Sequence, residues 1–242
     1  MIHVAGHHEM QAEFFSRNWA TKPAILSRPT RHLLSAFPNT LQGQILEVGA
    51  GTGAIARFNT HLDIISADLV YEGIGDLGTR AAVCPLDRLP FKTGAFDVVL
   101  AFEVLEHVSE DSVDSSLAEI ARVLRPKGHL LISVPTWPLS VVEWILKAVS
   151  FRRLPTLATV PEWDHPHERR YMRGMLEATL ARHRLTTIGV HRWCRSAFGF
   201  GEYLLNPLLS RAGLPAVDLA PLDALLPFDS TSNQLLLAEK AP

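Results

Sequence analysis

Apolar residues in the first 135 positions concentrate in short runs, the first four of which end at a glycine or an acid. Residues 45–48 run into Gly49, residues 62–67 into Asp68, residues 81–86 into Asp87, and residues 96–102 into Glu103. A fifth run covers residues 129–134. Runs rich in Val, Ile and Leu that lack polar alternation suit parallel strands buried on both faces. Between the fourth and fifth runs, residues 112–124 carry Val113, Leu117, Ile120, Val123 and Leu124 at helical spacing, and Pro126-Lys127-Gly128 stops that helix. After the first run only residues 54–59 are free to form a helix, a short one. Strands joined by helices make βαβ units, and such sheets bind ligands beyond the carboxyl ends of their strands. The glycines after residue 48, Asp68, Asp87 and Glu103 all fall at such ends.

The remaining pattern is less regular. Residues 1–40 read as one or two helices, with Phe14, Phe15, Trp19, Leu33, Leu34 and Phe37 as apolar contacts. Residues 171–184 read as a helix, 186–193 as a strand and 234–239 as a closing strand, which brings the strands to seven. The predicted fold is α/β: a doubly wound, mostly parallel, Rossmann-like sheet with helices on both faces and an antiparallel last strand. The whole chain, residues 1–242, is expected to be one domain, with residues 136–170 and 198–230 as insertions.

Composition narrows the partners. At 242 residues and 47% hydrophobic content the chain can bury a sizeable core. A formal net charge of -2 gives no electrostatic case for nucleic acid, which needs a basic excess or stripe. Cys84 and Cys194 are the only cysteines, which suits reduced thiols and a cytoplasmic location. No basic region followed by an apolar stretch opens the chain, and no run reaches the ~18 apolar residues of a spanning helix. Nothing in the sequence fixes the oligomeric state.

The most informative segment is residues 45–56, Ile-Leu-Glu-Val-Gly-Ala-Gly-Thr-Gly-Ala-Ile-Ala. Glycines in a strand-to-helix turn let backbone approach a ligand that side chains would exclude. Glu47 beside them suits a ligand bearing a cation or an amine and does not suit a pyrophosphate. The same glycines fit a loose dinucleotide fingerprint, with Asp68 near the distance of a ribose-binding acid. Two further blocks decide between these readings: residues 86–108, which begin Leu-Asp-Arg-Leu-Pro-Phe and end Glu-Val-Leu-Glu-His-Val, and residues 119–135, which include Arg-Val-Leu-Arg-Pro-Lys-Gly. With the glycine turn, they make the chain resemble the class I S-adenosylmethionine-dependent methyltransferases, particularly the small-molecule group, over about residues 43–135.

That resemblance implies S-adenosylmethionine as cofactor. It implies that Gly49, Ala50, Gly51 and Gly53 pass under its methionine part and ribose, and that Glu47 holds either the glycine loop or the ligand's ammonium through water. Asp68, followed by Leu69, would accept from the ribose hydroxyls, and Asp87 from the adenine amine, with Arg88 and Leu89 flanking the ring. Phe102 and Glu103 would line the site near the sulfonium. Asp97 is expected to be structural. The implied activity is methyl transfer to a small-molecule acceptor, with oxygen favoured. The alternatives are a nicotinamide-dependent oxidoreductase and a non-catalytic module that binds the cofactor.

Candidate bases are His107, His165 and His167, since a nearly neutral imidazole can take an acceptor's proton. Glu103, Glu106 and His107 lie at i, i+3 and i+4 of a predicted helix start, on one face. With His165 or His167 they have the residue types to hold a divalent cation, but the expectation is that no metal is used. The insertions carry apolar faces, among them Val142, Ile145, Leu146 and Val149, and are expected to roof an apolar or aromatic acceptor.

Overall fold

The computed structural model describes residues 9, 11–13, 15–17, 24, 28–136, 171–172, 174–193, 205–217, 219 and 233–242. The apolar runs form seven strands: β1 Gln44–Val48, β2 Asp63–Asp68, β3 Ala81–Val83, β4 Phe96–Phe102, β5 Leu124–Pro135, β6 Leu185–Trp193 and β7 Asn233–Lys240. They make one sheet in the order β3-β2-β1-β4-β5-β7-β6. Strands β1 to β5 pair in parallel, and β7 runs antiparallel to both β5 and β6. The order reverses between β1 and β4, so a doubly wound sheet of this kind opens its ligand crevice there.

Helices cover both faces. On one, α1 Arg28–Ala36 and α2 Ala54–Phe58 place Leu33, Leu34 and Ile55 against Ile45, Val98, Leu100 and Leu131. On the other, α3 Glu110–Val123 and α4 Met175–Arg182 place Val113, Leu117, Ile120, Leu176 and Leu180 against Leu46, Val99, Ala101, Leu130 and Ile132. Successive strand residues therefore feed opposite cores, which is why these strands read as continuous apolar runs. A short helix, α5 Asn206–Arg211, stands apart from these layers in sequence. No described helix is long and apolar enough to cross a membrane.

The structure moves several boundaries. Strand β3 has only three residues, because the chain leaves the sheet at Cys84-Pro85. Strand β5 starts directly at the end of α3, at Leu124, rather than after Pro126-Lys127-Gly128. Those residues are absorbed as a bulge: the register slips between Phe96 and Val98, and Lys127 takes φ 60°. The helix expected from residue 171 begins at Met175, because Tyr171 instead bridges Thr136 and Gly174 takes φ 76°. Asp97 is structural, as expected. It accepts the Gln44 N–H at 2.6 Å and pairs with Arg125.

Candidate functional site

At the carboxyl end of β1 the chain turns through Gly49, Gly51 and Gly53, with φ of 65°, 56° and 63°. The left-handed region is open to glycine at no steric cost. Gly49 is constrained in space as well, since a Cβ there would sit 2.5 Å from Val104 Cγ2. The turn after β4 thus packs directly on the glycine loop. A second close approach comes from the loop after β2, where a Cβ on Gly73 would sit 1.7 Å from the Gly51 carbonyl oxygen. Neither contact is visible as a motif in the sequence.

Two buried acids stand near this loop, at or close to the carboxyl ends of β2 and β1. Asp68 ends β2 and is 7% exposed. Its Oδ2 accepts the Gly51 N–H at 2.7 Å and its Oδ1 accepts the Val70 N–H at 3.1 Å. Asp68 therefore fixes the shape of the glycine loop. Each carboxylate oxygen keeps further acceptor capacity. Burial pushes its carboxyl above the usual range, and the N–H donors pull against that. Glu47, in β1, accepts from Ser66 Oγ at 3.1 Å. Burial, reinforced by the charge of Asp68 and opposed by the Ser66 hydroxyl, raises its pKa from 4.5 to about 8.

The segment after β4 departs from the predicted helix. Glu103 takes φ 52° and a 3-10 turn spans Leu105–His107, so the helix proper, α3, starts only at Glu110. Glu103, Glu106 and His107 consequently do not share one helical face. Glu103 is exposed at the strand end. Its Oε1 accepts the Ser133 hydroxyl at 2.7 Å and its N–H donates to Ser133 O at 3.1 Å. Glu106 is buried, with Oε1 4.0 Å from His107 Nε2. Burial and then the charge of Glu103 hold the Glu106 carboxyl well above its ordinary value. Among the described residues its Oε2 has no hydrogen-bond partner.

His107 is half-buried, and the Phe15 ring stands edge-on to it at 5.8 Å. The Gln11 side-chain amide donates to the His107 carbonyl, and Ser16 Oγ donates to Glu72 at 2.7 Å. The N-terminal segment thus touches the loops after β2 and after β4, on either side of the glycine loop. Sequence reasoning gave Phe15 only a packing role and missed Gln11. Leu69 and Phe102 are half-buried at their strand ends, Asp87 is half-buried, Arg88 is exposed and Leu89 is buried. Ala50 is buried and its N–H donates to Ala67 O at 3.1 Å. His165, His167 and the 138–150 face lie outside the described residues. Among the described residues no group of three His, Cys, Asp or Glu side chains is arranged to hold a metal ion.

Residues 46–132 match the family model described as a methyltransferase domain. The chain is 29% identical over 136 residues to a probable tRNA methyltransferase 9B of Homo sapiens, covering 54% of this chain and 29% of that protein. It is 26% identical over 175 residues to a ubiquinone biosynthesis O-methyltransferase of Vibrio parahaemolyticus, covering 66% of this chain and 72% of that one. The chain spans less than half the length of the first of these curated relatives. Among solved structures, a possible histamine N-methyltransferase from Thermotoga maritima superposes with a TM-score of 0.59 at 16% identity, covering 86% of this chain and 87% of that one. A Burkholderia thailandensis 1,6-didemethyltoxoflavin-N1-methyltransferase, solved with S-adenosylhomocysteine, gives 0.54 at 18% identity over 99% and 85%. The methyltransferase-domain match over residues 46–132, set in the strand order and glycine turn described above, supports a class I S-adenosylmethionine-dependent methyltransferase.

Proposed function

We propose that this protein transfers the methyl group of S-adenosylmethionine to a small-molecule acceptor, with oxygen as the acceptor atom. The observation that carries the cofactor half is Glu47. A carboxyl buried at the end of the strand that leads into the glycine loop, with the Ser66 hydroxyl as its partner among the described residues, suits a cationic ligand, which favours its ionised form, and offers nothing to a pyrophosphate, which would oppose that ionisation. The residues present therefore fit this cofactor better than a dinucleotide. Gly49, Ala50, Gly51 and Gly53 would hold its amino-acid part and ribose, with Asp68 and Leu69 at the sugar. Asp87, Arg88 and Leu89 would hold the base, and Phe102 and Glu103 the sulfonium side. When bound, the sulfonium supplies an activated methyl whose leaving group is a neutral thioether.

The chain's own work is then orientation, exclusion of water and proton removal. Holding the acceptor in line behind the methyl can lower the barrier by several kcal/mol, on the order of 7 or more in well-oriented cases. Val104 packs on Gly49, so the turn that ends at His107 borders the glycine loop. His107 would take the proton of an acceptor hydroxyl at a ring nitrogen, with His165 and His167 as the other candidate bases. The Phe15 ring edge at His107 suits an aromatic or apolar acceptor. The insertions at 136–170 and 198–230 would complete the roof of a single domain. The whole reading is that of a cytoplasmic enzyme without a metal requirement.

A second reading has a specific observation behind it. Several relatives are named as tRNA methyltransferases, which runs against an acceptor list without nucleic acid. The net charge of -2 favours the small molecule. The deciding experiment supplies radiolabelled S-adenosylmethionine with bulk tRNA in one arm and a panel of phenols, catechols and amines in the other. Label in a phenol or catechol supports the proposal. Label in tRNA alone overturns the acceptor, and label on nitrogen overturns the acceptor atom. Binding of NAD without S-adenosylmethionine would favour an oxidoreductase. Intact cofactor binding without turnover in any arm would favour a non-catalytic module.

A further inference from the structure

The loop that carries Asp87 is gripped at both ends, and one grip comes from two α3 residues that the reading above leaves without a task. At its start, the Cys84 N–H donates to the Asp68 carbonyl oxygen at 2.8 Å. At its far end, Glu119 Oε2 accepts the Leu89 N–H at 2.8 Å, and Arg122 Nη2 donates to the Leu89 carbonyl oxygen at 2.9 Å. Both backbone groups of Leu89 are therefore held by one ion pair. Arg122 Nη1 also donates to the Phe91 carbonyl oxygen at 2.7 Å, while Nε and Nη2 reach the Glu119 carboxylate at 2.6 and 2.9 Å. The Gly94 N–H donates to the Arg122 carbonyl oxygen at 2.9 Å. Between the two grips, the Arg88 N–H closes a turn onto the Pro85 carbonyl oxygen at 3.2 Å, and Asp87 sits inside that turn.

An ion pair three residues apart on a partly exposed helix face ordinarily contributes little to stability. This one directs most of its hydrogen-bonding capacity at a loop, and the hydrogen bonds of the pair hold Glu119 below and Arg122 above their ordinary proton affinities. Packing already anchors the same stretch. The Leu89 side chain is buried, and Phe91 stands edge-on to Phe96 at 5.0 Å and 89°. Burial alone would keep the loop on the protein. It would not fix the backbone to a few tenths of an ångström, which is what a hydrogen-bonding site needs in order to reject an analogue that lacks the donor.

We propose that Glu119 and Arg122 are positioning residues for the cofactor's base: their grip on Leu89 sets the place of Asp87 relative to Asp68, and so selects a purine bearing a 6-amino group. The proposal rests on the methyl-transfer reading. The test is calorimetric titration of the purified full chain with S-adenosylhomocysteine and with S-inosylhomocysteine, in which a carbonyl replaces the 6-amine. The proteins are the wild type, Arg122→Lys, Glu119→Gln and, as a surface control, Arg182→Ala. The wild type and Arg182→Ala are expected to prefer the adenine ligand by about 100-fold or more. In Arg122→Lys and Glu119→Gln that preference should shrink at least about tenfold through loss of adenine affinity. Equal loss for both ligands, or no change, would mean that the pair only stabilises the fold; the methyltransferase reading would survive. No heat from either ligand with the wild type would overturn both. If Arg122→Lys does not fold, Glu119→Gln decides, since it keeps an acceptor for the Leu89 N–H.

Discussion

Replacing Glu47 by glutamine should make the ligand-free protein more stable, by an amount that grows with pH. Glutamine keeps the shape and an acceptor for Ser66 Oγ but cannot ionise. Below pH 4.5 the native Glu47 is protonated in both the folded and unfolded states and the two proteins should match. Between 4.5 and about 8 the unfolded chain is ionised while the buried carboxyl is not, so folding must take up a proton and stability falls as pH rises. Above about 8 the folded carboxyl ionises too and the loss levels off. The gap between these two values corresponds to about 3 kcal/mol at pH 7 and about 5 kcal/mol above pH 8. Urea unfolding of wild type and Glu47→Gln at pH 5, 7 and 9 measures the difference directly. Parallel curves at all three values would refute the reasoning. A cationic ligand should act oppositely, drawing the Glu47 pKa down, so saturating cofactor should narrow the pH-dependent gap and should bind with release of a proton near pH 7.

Three further outcomes follow from the same geometry. Asp68→Ala strips the acceptors of the Gly51 and Val70 N–H groups, so it should cost at least about 1–3 kcal/mol of stability by chemical denaturation and weaken cofactor binding by at least ~1 kcal/mol; an unchanged calorimetric affinity would contradict the assignment. Gly73→Ala puts a methyl group against the Gly51 carbonyl oxygen and should lower stability by about 1–3 kcal/mol, read as a shift in the denaturation midpoint, together with cofactor affinity. Chelators should leave methyl transfer unchanged; loss with EDTA and recovery with magnesium would reassign Glu103, Glu106 and His107.

Much of the architecture was legible because the sheet is buried on both faces. That burial favours apolar runs without polar alternation, from which the mostly parallel sheet was legible, whereas the strand order β3-β2-β1-β4-β5 came only from the structure. Boundaries failed where one residue's backbone overrode the local pattern. Lys127, with φ 60°, keeps the Pro126 to Gly128 stretch in β5 as a bulge, and Glu103, with φ 52°, sends the chain into a 3-10 turn where the pattern reads as a helix. The acids at the strand ends were legible as candidates, because the chain offers few charges there. Their partners were not. Asp68 spends hydrogen bonds on the glycine loop, Glu106 is buried rather than displayed, and Gln11 and Phe15 reach His107 from about ninety residues away. Such contacts depend on packing across sequence distance, which no local spacing encodes.

The glycine loop and the acids around it must hold a charged sulfur nucleoside for methyl transfer to occur. Isothermal titration of the full chain with S-adenosylmethionine, repeated in two buffers of different ionisation enthalpy at pH 7, measures affinity and proton release together. Saturable one-site binding is expected, accompanied by release of a fraction of a proton, which Glu47→Gln abolishes. Absence of binding heat in both buffers, with a demonstrably folded sample, would contradict it.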